Sequence, residues 1–91
     1  MDAIVIELVR KARALAITGY RHATFQRRIQ EALLPPPVKI SERCSAWPLH
    51  ELAAVNRAIV AGASPDEIKR LVTHLVESRR PSGNDPNRDP T

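Results

Sequence analysis

Few residues in this 91-residue chain could do covalent or metal chemistry: His22, His50, His74 and the single cysteine, Cys44. His50 lies 28 residues after His22, six after Cys44 and 24 before His74. No zinc motif has those spacings. One cysteine can make neither an intrachain disulfide nor a Cys-based zinc cluster, so the core must hold the fold alone. Cys44 and His50 could in principle form a nucleophile and base. No third group orients them, however, no oxyanion loop accompanies them, and little chain remains to enclose a substrate. Gly19, Gly62 and Gly83 are isolated, so no glycine-rich loop can cradle a phosphate. The expectation is a non-enzyme without cofactor or metal.

The residues with chemistry to offer are basic, and they concentrate in Arg21-His22-Ala23-Thr24-Phe25-Gln26-Arg27-Arg28-Ile29-Gln30-Glu31. At about 100° per residue, Phe25, Ile29 and Ala32 share one face of a helix over roughly 21–33. Ala23, Thr24, Arg27 and Glu31 point the other way, with Arg28 and Gln30 at the flanks. Arginine and glutamine are the donors that read guanine and adenine edges in a major groove, and the short Ala23 and Thr24 allow close approach. A solvated surface helix accounts for the same charges, so the neighbouring elements must separate the two readings.

The charge is unevenly spread. Fourteen Lys and Arg against ten Asp and Glu give +4 and a pI near 10.0, which favours an acidic partner. Residues 1–47 hold eight basic and four acidic groups, residues 48–80 five and four, and the remainder one and two. The excess therefore belongs to the first half. With 43% hydrophobic and 26% charged residues, the composition is that of a folding chain and not of a disordered polycation. Tyr20, Phe25 and Trp47 are the only aromatics, too few for a base-stacking platform on a sheet. No basic leader with an apolar run opens the sequence, and no stretch nears the about 18 apolar residues that span a bilayer. A soluble cytoplasmic protein is expected, with one domain over 1–80 and a disordered Pro, Asn, Asp and Gly tail over 81–91.

The elements follow from periodicity and punctuation. Ile4, Leu8, Ala12, Leu15 and Ala16 recur at helical spacing between Asp2 and Thr18, although AIVIELV could also begin as a short strand. Gly19 ends that helix and the basic helix follows after a short turn. Pro35-Pro36-Pro37 stop the second helix and lead into a hairpin, in which Val38 and Ile40 alternate with Lys39 and Ser41. Its turn falls at Ser41-Glu42 or just beyond, with Ala46-Trp47 on the return strand. Trp47, the largest apolar side chain, is expected in the core, packing that strand onto the helices. Cys44 beside it is expected to be a small buried or strand residue. Pro48 opens a third helix with Leu52, Val55 and Ile59 as its apolar stripe, closed by Gly62. Ser64-Pro65-Asp66-Glu67 is a capping box with proline in the first turn. It starts a fourth helix over about 64–80, with Ile68, Leu71, Val72, Leu75 and Val76 inward and Arg79-Arg80 suiting the dipole at its end.

Helix, short turn, basic helix and basic hairpin together make the layout of a winged helix-turn-helix. The expected class is therefore mainly α, a winged helix-turn-helix with a small β-hairpin wing and one additional C-terminal helix. The proposed partner is double-stranded DNA, with recognition helix 21–33 in the major groove and wing 38–47 on backbone or minor groove. Thr24, Arg27, Arg28 and Gln26 would face bases, while Arg21, His22, Lys39, Ser41 and Arg43 would mostly hold phosphate and set register.

Over roughly residues 13–57 the chain resembles the AlpA-type prophage regulators, which share the winged-helix layout of excisionases and MerR-like proteins. The resemblance runs through Ile17-Thr18-Gly19, Thr24, Arg27-Arg28-Ile29, Pro35, Pro37-Val38-Lys39-Ile40, Arg43, Trp47-Pro48 and Glu51. The family's usual Ser-Arg-Ser-Thr run is here Arg21-His22-Ala23-Thr24, and Gln26 stands where it has a tyrosine. Its usual Gly and Phe before the first proline are also missing, with Ala32 or Leu33 and Leu34 in their place. The resemblance implies a small transcriptional regulator of prophage or integrated-element genes, or an excision factor of a mobile element. A module of this size buries only about 600–1,000 Å² on DNA, so oligomers on adjacent half-sites are expected. The helix over 64–80 could pair two copies or simply cover its own domain. A reading from another class is a helical adaptor or antitoxin-like protein that binds protein through the Leu-rich last helix.

Overall fold

A computed structural model describes residues 6–79. Its elements are β1 (Leu8–Val9), α1 (Lys11–Thr18), α2 (His22–Gln30), β2 (Val38–Ser41), β3 (Cys44–Pro48), α3 (Leu49–Val60) and α4 (Pro65–Glu77). Four helices thus accompany one antiparallel three-stranded sheet of order β1-β3-β2. Among the described residues no helix is long and apolar enough to cross a membrane. The tail expected over 81–91 lies outside the described residues.

The first described element is a strand, Leu8–Val9, as AIVIELV allowed, and α1 starts at Lys11. This changes which side chains are inward. In an extended strand neighbours alternate, so Leu8 faces out while Val9 is buried, and the later helix start turns Ala14 into the core. Ala12 and Ala16, expected on the apolar stripe, are exposed. Gly19 ends α1 in the left-handed region at φ 79°, its amide donating to the Leu15 carbonyl, as a C-terminal glycine does.

The second helix is shorter than its spacing suggests, ending at Gln30 and not at Leu33. Leu33 N donates to Arg28 O at 2.8 Å and Ala32 N to Ile29 O at 3.1 Å, the paired bonds of a Schellman ending. Its left-handed position is filled by Ala32 at φ 64°. That turn leaves Ala32 exposed instead of on the buried face. The physical reason lies downstream. Pro35 pushes Leu34 away from the helical region, so the chain must reverse before it, and Ala32 is where it does. Gly62, at φ 85°, makes the same ending after α3 at no steric cost.

The hairpin turns over Glu42 and Arg43, with Val38 opposite Ala46, Lys39 opposite Ser45 and Ser41 opposite Cys44. A bulge lies between Lys39 and Ser41. β1 adds the third strand on the other side of β3, with Val9 opposite Trp47 and Leu49 N donating to Glu7 O at 2.7 Å. Pro48 serves as the N-cap of α3 and not as its first residue. Along α3, Leu52 and Val55 are buried, but Ile59, expected on that stripe, is 42% exposed.

One core joins these elements: Val9, Ala14, Phe25, Leu34, Trp47, Leu52, Val55, Ile68 and Val72. Trp47 is its centre, as its size predicts. Its ring meets Phe25 edge-on at 5.1 Å between centroids, and its indole N–H donates to the Pro35 carbonyl at 3.2 Å. α4 covers the open side of α3 by burying Ile68 and Val72, with Leu71, Leu75 and Val76 half-buried beside them. It starts with the expected capping box: Glu67 N donates to Ser64 Oγ, and Ser64 N donates to Glu67 Oε1 at 2.7 Å.

The other end of α4 is tied by a contact that sequence does not announce. Arg79 donates Nε to Glu51 Oε2 at 2.9 Å and Nη2 to Glu51 Oε1 at 2.7 Å, and Nη2 also reaches Pro36 O at 2.8 Å. Glu51 is 1% exposed and the Arg79 side chain 23%. A fork-to-fork pair of this kind joins α3, α4 and the proline loop.

Four expectations follow. Arg79→Ala strands a carboxylate in the interior and lowers unfolding free energy by about 3–5 kcal/mol in urea titration. Glu51→Gln leaves an arginine that can turn to water, and costs about 1–2 kcal/mol. Replacing Ala32 by glycine relieves left-handed strain of roughly 1–2 kcal/mol at a smaller entropic cost. A gain of about 0.5–1 kcal/mol is therefore expected for that substitution, read as a higher Tm. The fourth concerns acid. The Ser64 amide donating to its carboxylate, helped by the Ser64 hydroxyl and Arg70, holds Glu67 below its ordinary 4.5. A carboxylate depressed on folding stabilises above its unfolded pKa and loses that contribution as pH falls through the lower folded value. The Tm advantage over Glu67→Gln should therefore shrink as pH falls below 4.5.

Candidate nucleic-acid interface

The basic helix is presented by the turn before it. Arg21, with extended backbone, is the N-cap of α2 and uses no side-chain cap; its carbonyl takes the Phe25 amide at 2.8 Å. Phe25 is fully buried against Trp47 and fixes the roll of the helix. With that side inward, Ala23, Arg27, Gln30 and Glu31 are the exposed residues of the outer face, and His22 is exposed at its start. Arg27 stands near the middle of that face. No acidic residue precedes Glu31 on it.

The other three expected base-facing residues sit on the flanks. Thr24, Gln26 and Arg28 are each half-buried. Gln26 Oε1 accepts from Lys11 Nζ at 3.3 Å. The Arg28 guanidinium lies over the Tyr20 ring, 5.1 Å from its centroid, a contact that orients the charge without neutralising it. Thr24 is thus a residue of the flank and not of the face opposite Phe25, because a nine-residue helix packed on one large ring also shelters the positions adjoining it.

The hairpin carries the second group. Lys39, Ser41, Glu42 and Arg43 are all exposed, with Arg43 in the turn. Lys39 is opposite Ser45 in the register, and Ser45 and Trp47 are two apart on one strand, so all three share a hairpin face. Since Trp47 packs on Phe25, that is the face turned to α2. Ile40, at the bulge, is 49% exposed beside these charges.

Between helix and hairpin runs an open groove of about 560 Å³. Its rim includes Arg10, Lys11, Gln26 and Ser45, and Ile29 and Trp47 are among its walls. Arg10 and Lys11 are not recovered by the periodicity of the first segment, which puts them inside a helix begun at Asp2. The available signal was the Arg-x-x-Arg spacing of 10–13 in a segment with excess positive charge, together with the allowed strand start. The titratable chemistry groups remain apart. Among the described residues no group of three or more His, Cys, Asp and Glu side chains is placed to hold a metal ion, and Cys44 is a half-buried free thiol at the hairpin.

No family model, curated protein or solved structure matches this chain.

Proposed function

We propose that the protein binds double-stranded DNA sequence-specifically as a winged helix-turn-helix, and acts as a small transcriptional regulator of the AlpA type. The observation carrying this reading is the juxtaposition of the exposed Arg27 face of α2 with a hairpin exposing Lys39 and Arg43. α2 is the reading helix, held at its back by Phe25, and α1 is the helix that crosses the backbone. Arg27 is the main base-reading donor, with Gln30 beside it. Ala23 lets the helix seat deeply, because a larger side chain there would hold it off the base edges.

Thr24, Gln26 and Arg28 act from the flanks of that helix. Arg28, already steered by Tyr20, and Arg21 and His22 at the helix start are placed for phosphate contact; Lys39, Ser41 and Arg43 hold the backbone or enter the minor groove. Charge excess in the first half supports the same division of labour, since α3 and α4 carry almost balanced charge. Leu71 and Leu75, the contact residues of an adaptor reading, are half-buried against their own core. A partner helix would compete with that packing.

A gel shift with duplex from the region upstream of its own gene tests the proposal. The three to five phosphates neutralised by helix and wing should contribute roughly −3 to −4 to the slope of log affinity against log salt. Arg27→Ala should cost about 1–3 kcal/mol on the preferred site and relax selectivity at one base pair. Arg43→Ala should weaken all duplexes alike and flatten the slope by about 1. Absence of any shift at low salt, with no change on either substitution, overturns the reading.

A further inference from the structure

Major and minor grooves of a duplex are divided by a sugar-phosphate strand. A protein with one element in the major groove and another in the adjacent minor groove must therefore offer that strand a passage between the two elements. In this chain the surface between α2 and the hairpin is the groove of about 560 Å³. We infer that this groove is the seat of the intervening DNA strand, with Arg10 and Lys11 as its phosphate contacts. The inference rests on the DNA-binding reading and extends it to residues outside the reading helix and the wing.

The lining has the chemistry of a sugar-phosphate chain. Its rim has two cations, Arg10 and Lys11, and two neutral polar side chains, Gln26 and Ser45, while no carboxylate lines it. Ile29 and Trp47 contribute apolar surface, which suits the face of a deoxyribose ring. Phosphates would lie along the rim, where the cations are only partly screened. Lys39, opposite Ser45 on the same hairpin face, continues the positive edge towards the wing.

Lys11 has a second part. Its ammonium donates to Gln26 Oε1, and an ammonium has three donors. It can keep that bond while it takes a phosphate, so the strand in the groove is linked through one side chain to the flank of the reading helix. Arg10 can follow the strand: its backbone is the extended N-cap of α1, and its exposed side chain makes no helix-capping hydrogen bond among the described residues.

The test uses the full chain and a short duplex selected by the protein from a random pool. Affinity is measured between about 50 and 200 mM salt. The variant Arg10→Gln with Lys11→Met keeps the side-chain stems and removes two charges. It should flatten the salt slope by about 1.8, two contacts at about 0.9 each, and leave the preferred sequence unchanged, since phosphate contacts carry no base information. Lys69→Met with Arg70→Gln makes the same charge change on the outer face of α4, whose two residues line no part of this groove; it should leave the slope as it was. Circular dichroism melts report that both variants fold. Equal flattening by the two pairs would overturn the inference in favour of diffuse attraction to net charge. An unchanged slope in the groove variant would overturn it while leaving the DNA reading intact. If the unaltered chain selects and binds no duplex, both fall.

Discussion

Trp47 is the side chain on which the arrangement depends, because four separate pieces of chain meet at it. Its backbone pairs with Val9, its ring abuts Phe25, its indole N–H satisfies the Pro35 carbonyl, and it belongs to the strand that pairs with β2. A chain this short has few large apolar groups to spend on a core. One indole at the centre therefore sets the distance from hairpin to helix. That distance is also the width of the groove between them, so packing and proposed recognition share one determinant.

A second tie acts at the opposite edge. The Glu51–Arg79 pair connects the start of α3 to the end of α4, and through Pro36 it holds the loop that leads into the hairpin. Desolvating a carboxylate costs more than most surface contacts return, and here the cost is met by a bidentate partner. The C-terminal helix is thereby coupled to the base of the hairpin without touching the proposed DNA face. Through Pro36 its Arg79 holds the segment that leads into the hairpin, while Arg27, Lys39 and Arg43 remain exposed.

Helix endings show where local reading holds and where it fails. Gly19 and Gly62 reverse the chain where a glycine does so at no cost, and the Ser64–Glu67 box starts α4 as its four residues prescribe. Ala32 performs the same reversal without a glycine to mark it, since the following prolines and the burial of Leu34 impose the turn from outside the helix. The site was legible to a similar degree. Arg27, Lys39, Ser41 and Arg43 are exposed where periodicity puts them; Thr24, Gln26 and Arg28 are half covered by neighbours that only the packed structure brings near.

The sequence by itself determined the number and order of the helices, the hairpin and its turn, the capping of α4 and the concentration of positive charge before residue 48. Each of these is written within a few neighbouring residues, where propensity, proline and glycine act directly. Only tertiary structure decided the β1–β3 pairing, the partner of Arg79 and the presence of Arg10 and Lys11 beside the helix and hairpin. These depend on contacts between segments distant in the chain, whose energies appear only once Trp47 has brought the segments together.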